Sequence, residues 1–137
     1  VYDLMIEHNF SIVRTFRLKI DHNLLAKPGV TRNDENWNWQ RYLLGEKMFA
    51  AVCLDDANRP YCITMKLEPA EGEALRREYP DVLPGHYMNK LHWNSVRPDG
   101  AVPEELLRHM LDESYRLVLS SLSKKKQAEL TGEGTGK

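Results

Sequence analysis

The sequence predicts an α+β domain: an antiparallel sheet with helices packed mainly on one face. Three observations predict it. Strand-like segments follow one another through short turns, which excludes the long crossovers of a parallel sheet. Segments of helical period lie before and after them. The 137 residues, 42% hydrophobic and 28% charged, suit one globular domain with a single core.

The elements can be justified in order. Ser11 to Ala26 reads as a helix, because Phe16, Ile20 and Leu24 recur every fourth residue and Leu25 widens the stripe. Lys27-Pro28-Gly29 stops it, and Thr31 to Asn36 reads as a polar loop. The first strand runs from Trp37 to Leu44, and Gly45-Glu46 turns the chain into a second, Lys47 to Leu54, apolar on both faces and therefore central. After the polar turn Asp55 to Pro60, a third strand runs from Tyr61 to Leu67. Its alternation puts Tyr61, Ile63, Met65 and Leu67 on a buried face and Cys62, Thr64 and Lys66 on a partly open one.

Pro69 suits the first turn of a short helix, with Glu71 and Glu73 favouring that end and Ala70, Ala74 and Leu75 as its packing side. Asp81 to Gly85 reads as a proline-punctuated loop, and Leu91 to Arg97 as a fourth strand. Pro103 opens the last helix, with a core stripe of Leu107, Met110, Leu111, Ser114, Leu117, Val118 and Leu122. Lys124-Lys125-Lys126 reads as a solvated helix end that suits the helix dipole. The domain organisation expected is an N-terminal extension of unassigned structure (1–14), one domain (15–127) and a flexible glycine-rich tail (128–137).

Bulk properties exclude several classes. A net charge of −1 argues against a dedicated non-specific nucleic-acid binder, so any DNA contact must come from a local patch. Charge is uneven: residues 68–113 hold ten acids and five bases, residues 114–137 two acids and five bases. No apolar run approaches a membrane span, and Val1-Tyr2-Asp3-Leu4 shows no secretory signal, so the expected location is cytoplasmic. Cys53 and Cys62, on neighbouring strands, form no metal motif or disulfide framework and read as small buried groups in a reducing compartment.

The chemistry-rich stretch is His86-Tyr87-Met88-Asn89-Lys90-Leu91-His92-Trp93-Asn94-Ser95-Val96. If Leu91 and Trp93 anchor inward, His92 and Asn94 face outward. With Lys66, Lys90 and Arg97 they then make a polar sheet face able to meet phosphates through Lys and Arg and base edges through Asn. The bland alternative is a polar face whose Asn and His brace the preceding loop. Trp37, Trp39 and Tyr42 read as edge or core packing, with base stacking as the rival. The hairpin tips at Gly45-Glu46 and Asp55 to Pro60 are not basic, as DNA-binding wings would be.

His86, His92 and His109 lack the spacing of metal ligands, so no metal or other cofactor is expected. Ser95, Ser114, Cys53 and Cys62 lack a nucleophile elbow or a paired base, and no catalytic residue is assigned.

Several blocks in order resemble the MmcQ/YjbR family of small bacterial proteins. They are Leu24-Leu25-Ala26-Lys27-Pro28-Gly29-Val30, Gly45-Glu46-Lys47-Met48-Phe49-Ala50, Met65-Lys66-Leu67-Glu68-Pro69, Tyr79-Pro80, Asn89-Lys90-Leu91-His92-Trp93-Asn94-Ser95-Val96 and Asp112-Glu113-Ser114-Tyr115-Arg116-Leu117-Val118. The resemblance covers about residues 20–126, and its most specific part is the Asn-Lys-x-His-Trp-Asn block. It implies a CyaY-like fold, also described as a double-wing DNA-binding motif, and hence a DNA-associated protein. A module binding protein or a small ligand, without DNA affinity, is the alternative. The chain departs from the family pattern between Thr31 and Leu43, where Asn36-Trp37-Asn38-Trp39 is tryptophan-rich. A frataxin-like iron role would need a dense acidic ridge on the first helix. Residues 11–26 contain only Asp21, so that role does not carry over.

Overall fold

A computed structural model of the chain describes residues 19–34, 38–55, 60–85, 89–97 and 101–132. The expected extension 1–14, His86 and the glycine-rich end from 133 lie outside them. The architecture is α+β. One antiparallel six-stranded sheet has the order β1-β2-β3-β4-β6-β5. The described part of helix α1 is residues 19–25. Strands β1 (Val30–Asn33), β2 (Trp39–Leu44), β3 (Lys47–Leu54) and β4 (Pro60–Lys66) follow, then helix α2 (Pro69–Glu78). Strands β5 (Val82–Pro84) and β6 (Trp93–Val96) complete the sheet, and α3 (Glu104–Ser120) and α4 (Lys124–Thr131) end the described chain.

The core lies between one sheet face and the helices. Tyr42, Ala50, Val52, Ile63, Met65, Val82 and Val96 alternate onto that face and pack with Ile20, Leu24, Leu75, Leu107, Met110, Leu111 and Val118. Between Tyr42 and Leu43 the register slips, leaving Phe49 unopposed on β2. The bulge turns Phe49 into the core, where its ring meets Tyr115 edge-on at 5.5 Å. The Phe49 carbonyl accepts from the Ser114 hydroxyl, which in turn accepts from Lys66 N–H at 2.8 Å. One buried serine thus ties α3 to two strands.

At the other side of the core Asp21 joins three elements. It accepts from Tyr42 Oη at 2.8 Å and Arg32 Nη1 at 2.6 Å. Burial, then the bond to Asp21, pushes the Tyr42 phenol far above its ordinary value.

Five sequence expectations need correction. Thr31 to Asn33 belong to an edge strand rather than a loop, because pairing with β2 supplies the order their polar side chains do not advertise. Leu83-Pro84, expected as loop, lie in the opposite edge strand, a position that tolerates proline. On α2 the buried residues are Gly72 and Leu75, while Ala70 and Ala74 are exposed.

The last helix is in fact two. The chain breaks at residues 121–123, and Ser123 caps α4 by accepting from Lys126 N–H at 3.1 Å. Lys124, Lys125 and Lys126 therefore occupy a helix N-terminus, where they oppose the dipole rather than suit it. Residues 128–131, the expected start of the tail, complete α4, which reaches the core edge through Leu130.

The second face of the sheet is the fifth correction. Cys62 and Thr64, placed by sequence on a partly open face, are buried, as are Ala51, Cys53 and Ser95 beside them. Trp39, Arg41, Lys66 and Trp93 share this face and are half-buried.

Candidate functional site

The Asn89 to Val96 segment is built as a turn running into a central strand. Asn89 Oδ1 accepts from Leu91 N–H at 2.9 Å, and the Asn89 carbonyl accepts from Trp93 N–H at 2.9 Å. Such Asx geometry lets a short polar side chain replace a backbone partner in a tight reversal. The His92 carbonyl then accepts from Leu67 N–H at 2.8 Å, extending the β4–β6 ladder by one rung. Consequently the strand begins at Trp93 rather than Leu91.

That start reverses the expected facing. Trp93 lies on the side with Lys66 and Ser95, while Asn94 points beneath the helices opposite Met65. Leu91, expected to anchor inward, is 57% exposed.

Asn94 is 0% exposed and fully engaged. Its Oδ1 accepts from Arg76 Nη1 at 2.7 Å, and its Nδ2 donates to the His92 carbonyl at 3.2 Å. Arg76 Nη1 also reaches the Lys90 carbonyl at 3.4 Å. The amide sits against Gly72, where an added Cβ would come within 3.0 Å of Nδ2. Gly72 is thus the opening in α2 that admits the clamp, which explains a glycine inside a helix that would otherwise favour alanine. Gly85 does the same for Trp93: a Cβ there would meet the Trp93 Cβ at 2.7 Å. Asn94 therefore cannot read a base edge. It braces the turn, as the bland alternative proposed.

The five residues singled out by sequence do not form one cluster. Lys66 and Trp93 are opposed across β4 and β6, and Lys90 and His92 sit in the adjoining turn. Arg97, exposed, lies just past the other end of β6, about 13 Å from Trp93 at ~3.3 Å per residue. Among the described residues Lys66, Lys90 and Arg97 have no carboxylate at ion-pairing distance. Lys19, Arg41, Lys47, Arg76, Lys124 and Lys125 share that property, Arg76 being bonded to Asn94 instead, whereas Lys27, Arg32, Arg77, Arg108, Arg116 and Lys126 are paired.

The helix side is different in charge. Arg116 Nη2 is 2.8 Å from Glu113, with Glu68 and Glu71 also acting on it. The bond to Arg116 holds the Glu113 carboxyl below its usual range.

Sequence reasoning missed Arg76, Gly72 and the Thr64–Ser95 hydroxyl pair, 3.0 Å apart across β4 and β6. Only Gly72 carried a local signal, being a glycine in a helical stretch. Among the described residues no three of His, Cys, Asp and Glu converge as metal ligands, and no helix is long and apolar enough to cross a membrane.

Comparison with known proteins accords with this architecture. A curated relative, the uncharacterized protein YjbR of Escherichia coli K12, is 32% identical over 104 residues, covering 75% of this chain and 86% of that one. Uncharacterized protein YbdF of E. coli O157:H7 is 38% identical over 65 residues, 47% of this chain and 53% of that one.

Among solved structures, a Deinococcus radiodurans protein with a DUF419 domain superposes with a TM-score of 0.71 at 28% identity, covering 81% of this chain and 84% of its own. A Pseudomonas syringae protein shares the fold at TM-score 0.53 and 18% identity, covering 64% and 86%. The model of the YjbR family matches residues 25–117, and the chain belongs to that family.

Proposed function

We propose that the chain is a cytoplasmic, nucleic-acid-associated protein that meets the phosphate backbone through Lys66, Lys90 and Arg97, with His92 and Trp93 between them. The observation that carries this reading is that Lys66, Lys90 and Arg97, around β6, have no carboxylate at ion-pairing distance among the described residues. A cation without a protein partner is free to exchange its counterion for a phosphate, and the released counterions drive binding. With Asn94 occupied in the fold, the asparagine expected to read bases is not available. The reading is therefore of backbone contact with little sequence preference.

Three phosphate contacts imply a log–log salt slope of roughly −2.7 on duplex DNA. Titration of a labelled duplex between about 50 and 200 mM salt tests this, with Lys90→Ala expected to flatten the slope by roughly one contact. No association at the lower salt refutes it.

One observation favours a protein partner instead. Leu83, on the edge strand β5, and Leu91, in the turn before β6, are large apolar side chains left 46% and 57% exposed. Binding that survives high salt but is lost in Leu91→Ser would select that reading.

A further inference from the structure

The centre of the sheet holds a reactive arrangement that nucleic-acid binding does not use. The chain's two cysteines, Cys53 on β3 and Cys62 on β4, are directly opposed in antiparallel register. Opposed residues in such a pair have Cα atoms about 4.5 or 5.5 Å apart, and both values fall within the ~4.4–6.8 Å that a disulfide spans. Cβ atoms of opposed residues generally lie about 4.5–5.5 Å apart, against about 3.5–4.5 Å in a disulfide, so closure asks for a small approach of the two strands. The ladder can yield there, because its register shifts between Cys53 and Leu54. Thr64 Oγ1 lies 3.7 Å from Cys53 Sγ and 3.9 Å from Cys62 Sγ, and 3.0 Å from Ser95 Oγ. The Thr64 hydroxyl therefore lies beside both sulfurs, which are nearly closed to water, with Cys53 3% and Cys62 8% exposed.

We propose that Cys53 and Cys62 form a reversible intramolecular disulfide driven by a hydroperoxide, with Cys62 oxidised first and Cys53 as the resolving thiol. Cys62 is the more exposed of the two. Hydrogen bonding with Cys53 holds the Cys62 thiol below the ordinary range against the opposing effect of burial, with Thr64 and Ser95 adding to it, whereas the bond with Cys62, then burial, holds Cys53 above it. The Cys62 thiolate attacks one peroxide oxygen. The O–O bond breaks, the other oxygen leaves as an alcohol (water, from hydrogen peroxide) after taking a proton, and Cys62 becomes a sulfenic acid. The Cys53 sulfur then attacks the Cys62 sulfur. The S–O bond breaks, and its oxygen leaves as water with the Cys53 proton. Two electrons pass from the dithiol to the peroxide, and an external thiol reverses the bond by exchange. A strained bond of this kind belongs to the labile, sensing class of cytosolic disulfides rather than to structural staples.

The test exposes the reduced full chain to hydrogen peroxide at neutral pH, then alkylates it in denaturant and maps it without reduction. The expected product lacks two hydrogens, resists alkylation at both cysteines, contains one linked Cys53–Cys62 peptide, and returns to the dithiol with a thiol reductant. Cys53→Ser should leave a sulfenic acid on Cys62 that dimedone traps, and Cys62→Ser should give no adduct. Two thiols still open to alkylation after peroxide, or a bond formed between chains, overturns the proposal. An adduct on Cys53 alone overturns the order of the steps. The wild-type mapping needs no variant, so a substitution that impairs folding does not blunt it.

Discussion

The two faces of the sheet are both buried at their centres but are built differently. Beneath the helices lie Tyr42, Val52, Ile63, Met65 and Val96, large groups that interlock with Leu107, Met110 and Leu111. On the reverse lie Ala51, Cys53, Cys62, Thr64 and Ser95, all small and four of them polar or titratable in a connected network. Neighbours on β6 divide between them: Asn94 enters the helix side as a clamp, and Ser95 joins the hydroxyl and thiol groups. The first face supplies apolar burial and so stability. The second supplies less area per residue and concentrates the side chains able to react or meet an anion.

Substitution should separate the faces sharply. Leu111→Ala removes a fully buried side chain from the helix side and should cost about 2–5 kcal/mol in denaturant unfolding. Cys53→Ala should cost about 1 kcal/mol, since a small side chain leaves a small void. Equal losses would break the comparison.

Asn94→Ala comes next, at roughly 1–3 kcal/mol, because Arg76 and the His92 carbonyl lose a buried partner. The folded fraction should keep any nucleic-acid affinity. Loss of binding at full stability would return Asn94 to the reading surface.

Tyr42→Phe sharpens the account of the core edge through pH. The folded phenol titrates above its unfolded value of ~10. The stability that the neutral phenol contributes is thus fully present below pH ~10 and is lost as pH rises beyond it. Wild-type unfolding midpoints should fall as pH rises above about 10, and the variant should fall less. The smallest stability effect is expected for Lys90→Ala, within about 0.5 kcal/mol, since the side chain is exposed and unpaired.

Much of the scaffold was legible from residue pattern. β2, β3 and β4 announce themselves through alternation and tight turns, and the doubly apolar β3 lies at the interior of the sheet. Edge strands were not legible, because Val30–Asn33 and Val82–Pro84, four and three residues long, are too short to show an alternation and draw their order from a neighbour. The break before α4 was hidden by helix-forming lysines, although Ser123 is a fitting cap.

At the site, alternation separates Trp93 and Asn94 onto two faces but cannot say which is inner. That depends on Gly72 and Arg76, which reach Asn94 from a helix remote in sequence. Polar residues in a dense motif are as apt to satisfy buried backbone as to meet a ligand.

The central claim is that the unpaired cations around β6 are the anion-binding groups. It is tested most directly by the salt dependence of DNA binding in two variants, one losing three positive charges and the other two. In the first, Lys66, Lys90 and Arg97 become alanine; in the second, Lys124 and Lys125 do. The account predicts that the first abolishes nearly all of the roughly −2.7 slope and the second leaves it within error. A slope unchanged in the first variant but flattened in the second would contradict the account and move the interface to the N-terminus of α4.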